Sequence, residues 1–152
     1  PIVRAMSRVT AENPELIRGK RVLVIEDGPS VTHGGMSYGA GYVAAVAAQA
    51  AEIVDPRADA LGEIADVYAQ YPHIGTVLPA VGYHPSQLEA LRATINAVGA
   101  DLVVVATPCD LSALIVIDQP VVRVRYEFAE VGEPGLGSLV EDFLSRRDFL
   151  QA

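Results

Sequence analysis

Lysine is almost absent from this sequence of 152 residues: Lys20 is the single lysine among eleven Lys and Arg side chains. Nineteen Asp and Glu residues bring the formal net charge to -8. A nucleic-acid backbone is normally bound by a clustered basic face, so this charge balance argues against a nucleic-acid partner. Any phosphate ligand has to be bound by backbone amides, arginines or a metal ion.

Long apolar runs and cysteine pairs are also lacking. The longest apolar stretch, residues 42–51, is about half the length of a membrane span, and no charged and then apolar leader opens the chain. Cys109 is the single cysteine, which excludes an internal disulfide. These absences predict a cytoplasmic protein without a membrane partner.

The stretch 21–51 contains a β-branched run, a glycine-rich loop and an alanine-rich segment. This order predicts a strand, a loop and a helix. Glycine lets backbone N–H groups point into a concavity, and the helix dipole adds positive charge there. We expect an anion to bind at this loop, although a plain surface turn remains the alternative. The residues expected to bind it are Thr32, Gly34, Gly35, Gly39 and Gly41.

Charged side chains follow the first two predicted strands. Glu26 and Asp27 end the first strand, where two carboxylates suit Mg²⁺. Asp55 and Arg57 follow the second, and the arginine supplies a planar fork for phosphate. His33, inside the glycine loop, is suited to donate to a phosphoryl oxygen or to shuttle a proton. We therefore expect Glu26 and Asp27 to bind the metal, and His33, Asp55 and Arg57 to act in catalysis. The alternatives are ordinary turn acids at Glu26 and Asp27, a strand-stop turn at residues 55–57, and a surface histidine at His33.

Strand and helix patterns alternate about five times along the chain. This alternation predicts an α/β fold, with a three-layer, doubly wound, mostly parallel sheet of about five strands. We expect residues 1–19 to be an irregular lead-in and residues 20–152 to form a single nucleotide-binding domain. Ligands of such sheets bind at the carboxyl ends of the strands, where Tyr83 and His84 are also expected.

Two helices are predicted from their apolar spacing. Ser86 and Glu89 form a capping-box pattern ahead of a helix with one apolar face, and Gly99 closes that helix. The last helix is expected to turn its apolar side chains inward. These are Leu136, Leu139, Val140, Phe143 and Leu144.

The segment 103–111 places Thr107-Pro108-Cys109-Asp110 after a buried apolar run. It resembles the base-binding [NT]-K-x-D element of GTPases, with proline in place of lysine. We therefore expect Thr107 and Asp110 to flank a nucleotide base, whose identity stays open.

A dinucleotide site is the competing interpretation. Gly39-Ala40-Gly41-Tyr42-Val43-Ala44 fits G-x-G-x-x-A, and Asp55 follows the next strand as a ribose-binding acid would. In that fold, however, the first glycine comes almost directly after the strand, whereas Gly39 stands twelve positions beyond Asp27. NAD binding is thus the second choice.

Several motifs in one order resemble a known family. E-D-G-P-S-V-T-H-G-G-M-S-Y-G-A-G, V-D-P-R, Y-P-H-I-G-T-V-L-P-A-V-G-Y, A-T-P-C-D-L and V-R-V-R-Y-E together look like the cyclic 2,3-diphosphoglycerate synthetase family, in its C-terminal, P-loop-NTPase-like or GTPase-like domain. Members of that family are longer and have a Rossmann-like N-terminal half, so the resemblance implies that this chain is the C-terminal half of a longer protein or a shortened relative.

The resemblance implies an ATP-dependent ligase that closes a phosphoanhydride in a small phosphorylated substrate. It implies phosphate binding at residues 32–41 and at Arg57, Mg²⁺ at Glu26 and Asp27, and ATP or GTP with its base near Thr107 and Asp110. The alternative from another class is a non-catalytic nucleotide-sensing or dimerising module. The sequence leaves a homodimer open.

Overall fold

The structure, a computed structural model, describes residues 2–82 and 84–148. The chain divides into two compact units. The central unit is Val9–Arg125, and the terminal unit combines Pro1–Arg8 with Tyr126–Ala152. Tyr83, expected at the strand ends, lies outside the described residues.

Among the residues that the structure describes, six strands form one sheet, which is mostly parallel. In chain order they are β1 (Ala5–Ala11), β2 (Arg21–Asp27), β3 (Glu52–Ile53), β4 (Leu78–Ala80), β5 (Leu102–Ala106) and β6 (Val121–Glu130). The spatial order is β1-β6-β5-β2-β3, and β4 pairs with β2 on the same side as β3 but further along it. All pairs that β2 and β5 make are parallel.

In the described part of the chain, six helices connect or follow these strands. They are α1 (Gly28–Val31), α2 (Ala40–Ala47), α3 (Glu63–Gln70), α4 (Pro85–Ala97), α5 (Leu111–Leu114) and α6 (Leu136–Asp148), with single 3-10 turns at Pro14–Leu16 and Pro56–Asp59. Within the described residues no helix combines the length and the apolar character that a membrane crossing requires.

Strand β2 carries a core on each of its faces. Val22 and Val24 pack in one buried cluster with Ala44 and Ala45 of α2. Leu23 and Ile25 pack in a second cluster that contains buried residues of α3, α4 and α5. Since successive side chains of a strand point to opposite faces, helices cover the sheet on both sides. The predicted three-layer, doubly wound α/β fold is confirmed.

The lead-in and the last helix differ from their predictions. Residues 1–19 contain the strand β1, which runs antiparallel to β6: Glu12 N donates to Arg123 O, and Val131 N donates to Arg4 O. The last helix exists, but its predicted inward face is wrong, because the apolar side chains of α6 are exposed or half-buried.

The start of α4 also differs in its capping. The helix begins at Pro85, and the side chain of Gln87 accepts a hydrogen bond from the His84 amide at 3.2 Å. Ser86 donates instead to Glu63, and Glu89 pairs with Arg92. The predicted Ser86–Glu89 capping box is therefore replaced by a cap two residues earlier, at His84 and Gln87, while the predicted apolar face with Leu91 and Ile95 is buried.

Candidate functional site at the strand ends

The carboxyl ends of β2, β4 and β5 meet in one row. Glu26 lies opposite Ala106 of β5, and Asp27 lies opposite Ala80 of β4. Thr107 follows Ala106 directly, so it comes next to Asp27 at the spacing of neighbouring strands, about 4.8 Å. The row therefore brings together Asp27 and Thr107, as the sequence predicts for parallel strands.

The two adjacent carboxylates at the end of β2 have different surroundings. Glu26 is 2% exposed, and its side chain lies on the face of β2 that α2 covers. Asp27 is half-buried and accepts a hydrogen bond from the Ser30 hydroxyl at 2.9 Å. Because side chains alternate along a strand, Glu26 and Asp27 point to opposite faces of the sheet.

Glu26 caps the amino end of α2. Its Oε1 accepts from the amides of Tyr42 at 2.8 Å and Gly39 at 3.0 Å, and its Oε2 accepts from Gly41 at 3.2 Å. Burial raises the pKa of the Glu26 carboxyl above its usual value, against the opposing effect of the three amides. The carboxylate thus satisfies donors that the first turn of a helix otherwise leaves unpaired.

The glycines before and within α2 make room for this carboxylate. A Cβ at Gly39 would lie 2.6 Å from Glu26 Oε2, and a Cβ at Gly41 would lie 2.8 Å from Val24 Cγ1. The anion position predicted at Gly39 and Gly41 is therefore taken by a side chain of the protein itself. Both oxygens of Glu26 are engaged there, which leaves Asp27 as the more accessible carboxylate of the predicted metal pair.

The glycine loop closes on itself by backbone hydrogen bonds. The amide and the hydroxyl of Thr32 both donate to Gly28 O, at 2.9 and 2.7 Å. The amides of Gly34 and Gly35 donate to Pro29 O and Thr32 O. The predicted phosphate donors Thr32, Gly34 and Gly35 thus have partners within the loop.

His33 belongs to a small aromatic cluster. Its Nδ1 lies 3.4 Å from the Tyr71 hydroxyl, and its ring meets that of Tyr71 edge to face. Tyr71 also contacts the ring of His73, whose Nε2 lies 2.8 Å from Val31 O. These contacts join the glycine loop to residues 71–73, and the imidazole of His33 itself is exposed.

Asp55 and Arg57 form an exposed ion pair with each other. Two hydrogen bonds join Arg57 Nε to the Asp55 carboxylate, at 2.9 and 3.0 Å, and the guanidinium lowers the pKa of Asp55. Strand β3 ends opposite Val22, five residues before Asp27. The pair therefore leaves the sheet well before the row of strand ends at which the sequence places it.

The loop after β5 contains the predicted base-binding residues. Thr107 is buried and donates from Oγ1 to Cys109 O at 2.9 Å. Asp110 precedes α5 and pairs with Arg123 Nη1 at 3.4 Å. Since Arg123 lies opposite Val105 in the parallel register, β6 brings a cation to the same edge.

Arg123 is the residue that sequence reasoning missed. In β6, Arg123 alternates with the buried Val122 and Val124, so its side chain lies on the opposite face of the strand. We call Asp27, Ser30, Thr107, Asp110 and Arg123 the strand-end cluster. No group of three or more His, Cys, Asp or Glu side chains suited to a metal ion occurs in residues 2–82 and 84–148. A metal here would need ligands beyond the protein.

Comparison with known proteins gives one informative similarity. The chain is 50% identical over 142 residues to a protein described as arginine synthetase ArcE, from Thermococcus kodakarensis. The match covers 93% of this chain and 32% of that relative. No protein-family model matches the chain, and no solved structure matches it. The chain thus spans about a third of the length of the curated relative that it matches, and it is similar to part of a synthetase.

Proposed function

We propose that this chain is the nucleotide-binding part of a cytoplasmic, Mg²⁺-dependent ligase that uses ATP or GTP for phosphoryl transfer. The observation that carries the proposal is the 50% identity to a synthetase over 93% of the chain. Catalysis of this kind depends on positioning and charge neutralisation around the transferring phosphoryl group. The strand-end cluster supplies groups of both signs for that task.

The cluster fits a nucleotide bound with a metal ion. Mg²⁺ is commonly held by one or two carboxylates together with substrate phosphates, and Asp27 is an accessible carboxylate of this kind. Bound there, the ion would supply charge neutralisation for the phosphates. Each of the two arginines pairs with a carboxylate, and their positions distinguish them. We assign the phosphate contact to Arg123, which β6 brings to the row, rather than to Arg57, which lies away from it. Thr107 and Asp110 keep the proposed role of flanking the base.

The occupied amides change the proposed mode of phosphate binding. The amides of Gly39, Gly41 and Tyr42 donate to the Glu26 carboxylate. The amides of Gly34 and Gly35 donate to carbonyl oxygens of the loop. Phosphates are therefore assigned to the side chains of the cluster. The same occupancy argues against a dinucleotide, whose pyrophosphate requires the amides at the start of the helix.

The two similarities suggest two different reactions, and we propose both as candidates. The relative's name gives arginine as its product. The motifs instead resemble the cyclic 2,3-diphosphoglycerate synthetase family, whose substrate is a small phosphorylated acid. We propose that arginine formation be assayed first, because that relative matches nearly the whole chain.

Calorimetry on the chain tests the nucleotide site. ATP or GTP should bind with Mg²⁺, and Asp27→Asn should weaken that binding about tenfold, a loss of about 1.4 kcal/mol. Without Mg²⁺ the variant and the wild type should bind equally weakly. Asp66→Asn, the same change at an exposed position of α3, is the matched control. Equal affinity of Asp27→Asn and wild type in Mg²⁺ would refute the assignment.

A non-catalytic module is the second candidate. The closed glycine loop favours it, because amides that catalysis would aim at phosphate are bound internally. Turnover of the nucleotide by the chain distinguishes the two candidates: nucleotide binding without any turnover, in the chain and in the full-length relative, would favour the module.

A further inference from the structure

Exposed apolar side chains are concentrated in the terminal unit. Its described part is short, yet it holds about half of the large hydrophobic residues that are exposed in the structure. Examples are Phe128 at 62% exposed and Phe143 at 55%. Single exposed hydrophobic residues need no explanation, whereas an accumulation of them marks an interaction surface.

The strands of the terminal unit carry part of this surface. Strand β6 pairs with β5 only over Val121 to Arg123, and its later residues continue beside β1. A two-stranded ribbon is marginally stable in water unless a hydrophobic face is covered. Tyr126 and Phe128, two residues apart on β6 and therefore on the same face of the ribbon, are both exposed.

Helix α6 carries the rest of the surface. Leu136, Val140, Phe143 and Leu144 recur at spacings of four, three and one, which places them on one face of a helix. All four are about half exposed. A helix of this pattern normally buries that face, so α6 presents a surface suited to an apolar partner.

We infer that the apolar surface of the terminal unit, formed by the β1–β6 ribbon and the apolar face of α6, docks against the remainder of a larger synthetase. The occupant is a protein surface that is apolar at its centre, within the two-thirds of the relative that this chain does not match. The relative supplies the argument: the stretch similar to this chain is 32% of its length.

Covalent linkage favours this occupant over a second copy of the chain. In the relative, each matched stretch is attached to the remaining polypeptide, which therefore acts at a high effective concentration. A second copy would have to associate from dilute solution. The inference rests on the similarity to a synthetase and is independent of the nucleotide chemistry proposed above.

Hydrogen exchange measured by mass spectrometry tests the inference without any activity assay. Protection factors are compared between this chain and the full-length T. kodakarensis relative. We expect the amides aligned with residues 126–130 and 139–146 to be protected about tenfold more in the full-length relative than the same positions are in this chain. Residues 102–106 of the buried β5 should be protected in both. Equal protection of the ribbon and α6 in both proteins would overturn the inference.

A substitution in the relative locates the docking surface. Asp at the position aligned with Phe128 should lower the protection of the aligned α6 and ribbon segments about tenfold, whereas Asp at the position aligned with Val116, an exposed apolar residue of the central unit, should not. Sedimentation of this chain identifies the competing occupant. A dimer at micromolar concentration that Phe128→Asp converts to a monomer would assign the surface to a second copy and overturn the inference.

Discussion

The central and terminal units of this chain differ in how far their apolar side chains are buried. The central unit packs aliphatic side chains against both faces of the sheet, in two separate clusters. Among the side chains that the structure describes, no hydrophobic residue of the terminal unit is buried. One unit therefore has its own core, while the described apolar side chains of the other are exposed or half-buried.

Both units nevertheless cap a helix with a carboxylate from the end of a strand. Glu26 of β2 accepts from three amides at the start of α2, and Glu130 of β6 accepts from the Leu136 amide at 2.7 Å. Glu26 is buried and Glu130 is exposed. The same capping interaction is therefore shielded from solvent in the central unit and exposed to it in the terminal unit.

The largest expected difference between the units concerns leucine truncation. Leu91→Ala in α4 removes a side chain that is 1% exposed, and should cost about 2–5 kcal/mol of unfolding free energy. Leu144→Ala in α6 makes the same change at a side chain that is 54% exposed, and should cost less than about 0.5 kcal/mol. Urea denaturation followed by circular dichroism measures both. Equal losses would show that α6 is packed in solution.

Substitution of glycine by alanine should change the stability in opposite directions in the two units. Gly41→Ala places a Cβ 2.8 Å from Val24 Cγ1 and 3.0 Å from Ala106 Cβ, and should destabilise by about 1–3 kcal/mol. Gly137→Ala in α6 meets nothing within 4 Å and should stabilise the helix by up to about 0.5–1 kcal/mol. The shift of the thermal midpoint gives both signs. A neutral Gly41→Ala would show that the approach of α2 to the sheet is looser than described.

The fold was largely predictable because its central strands are apolar on both faces. The run Leu102 to Ala106 matches β5 at both ends, since a continuous apolar run suits a strand covered on two sides. Strand β1 was missed because Ala5–Ala11 has little alternation and every residue in it is exposed or half-buried. It forms a strand by pairing with β6, a long-range interaction that local propensity does not encode.

The candidate site was predictable in its position but less so in its contacts. Parallel strands predict that Asp27 and Thr107 share an edge, as they do. Successive side chains of a strand point to opposite faces, so Glu26 shares the face of Val22 and Val24 and lies against α2. Asp55 and Arg57 were expected at that edge as the end of a short strand stopped by Pro56, whereas β3 has two residues and ends opposite Val22.

The smallest expected effect compares the two capping carboxylates. In Glu26→Gln one amide oxygen replaces two carboxylate oxygens and an NH₂ group faces a backbone donor, so the loss should be about 1 kcal/mol. Glu130→Gln, exposed and accepting from Leu136, should cost a few tenths of a kcal/mol at most. Chemical denaturation of both variants beside wild type gives the difference.

The pH dependence of that difference tests how burial acts on Glu26. Because burial raises the pKa of Glu26 from its usual value of 4.5, the folded state binds the proton more tightly than the unfolded state. The stabilisation is fully present below pH 4.5 and is lost as pH rises through the folded-state pKa. The stability advantage of wild type over Glu26→Gln should therefore shrink as the pH rises above 4.5, and the advantage of wild type over Glu130→Gln is the exposed reference. An advantage that grows with pH would mean that the three amides of α2 outweigh the desolvation of the carboxylate.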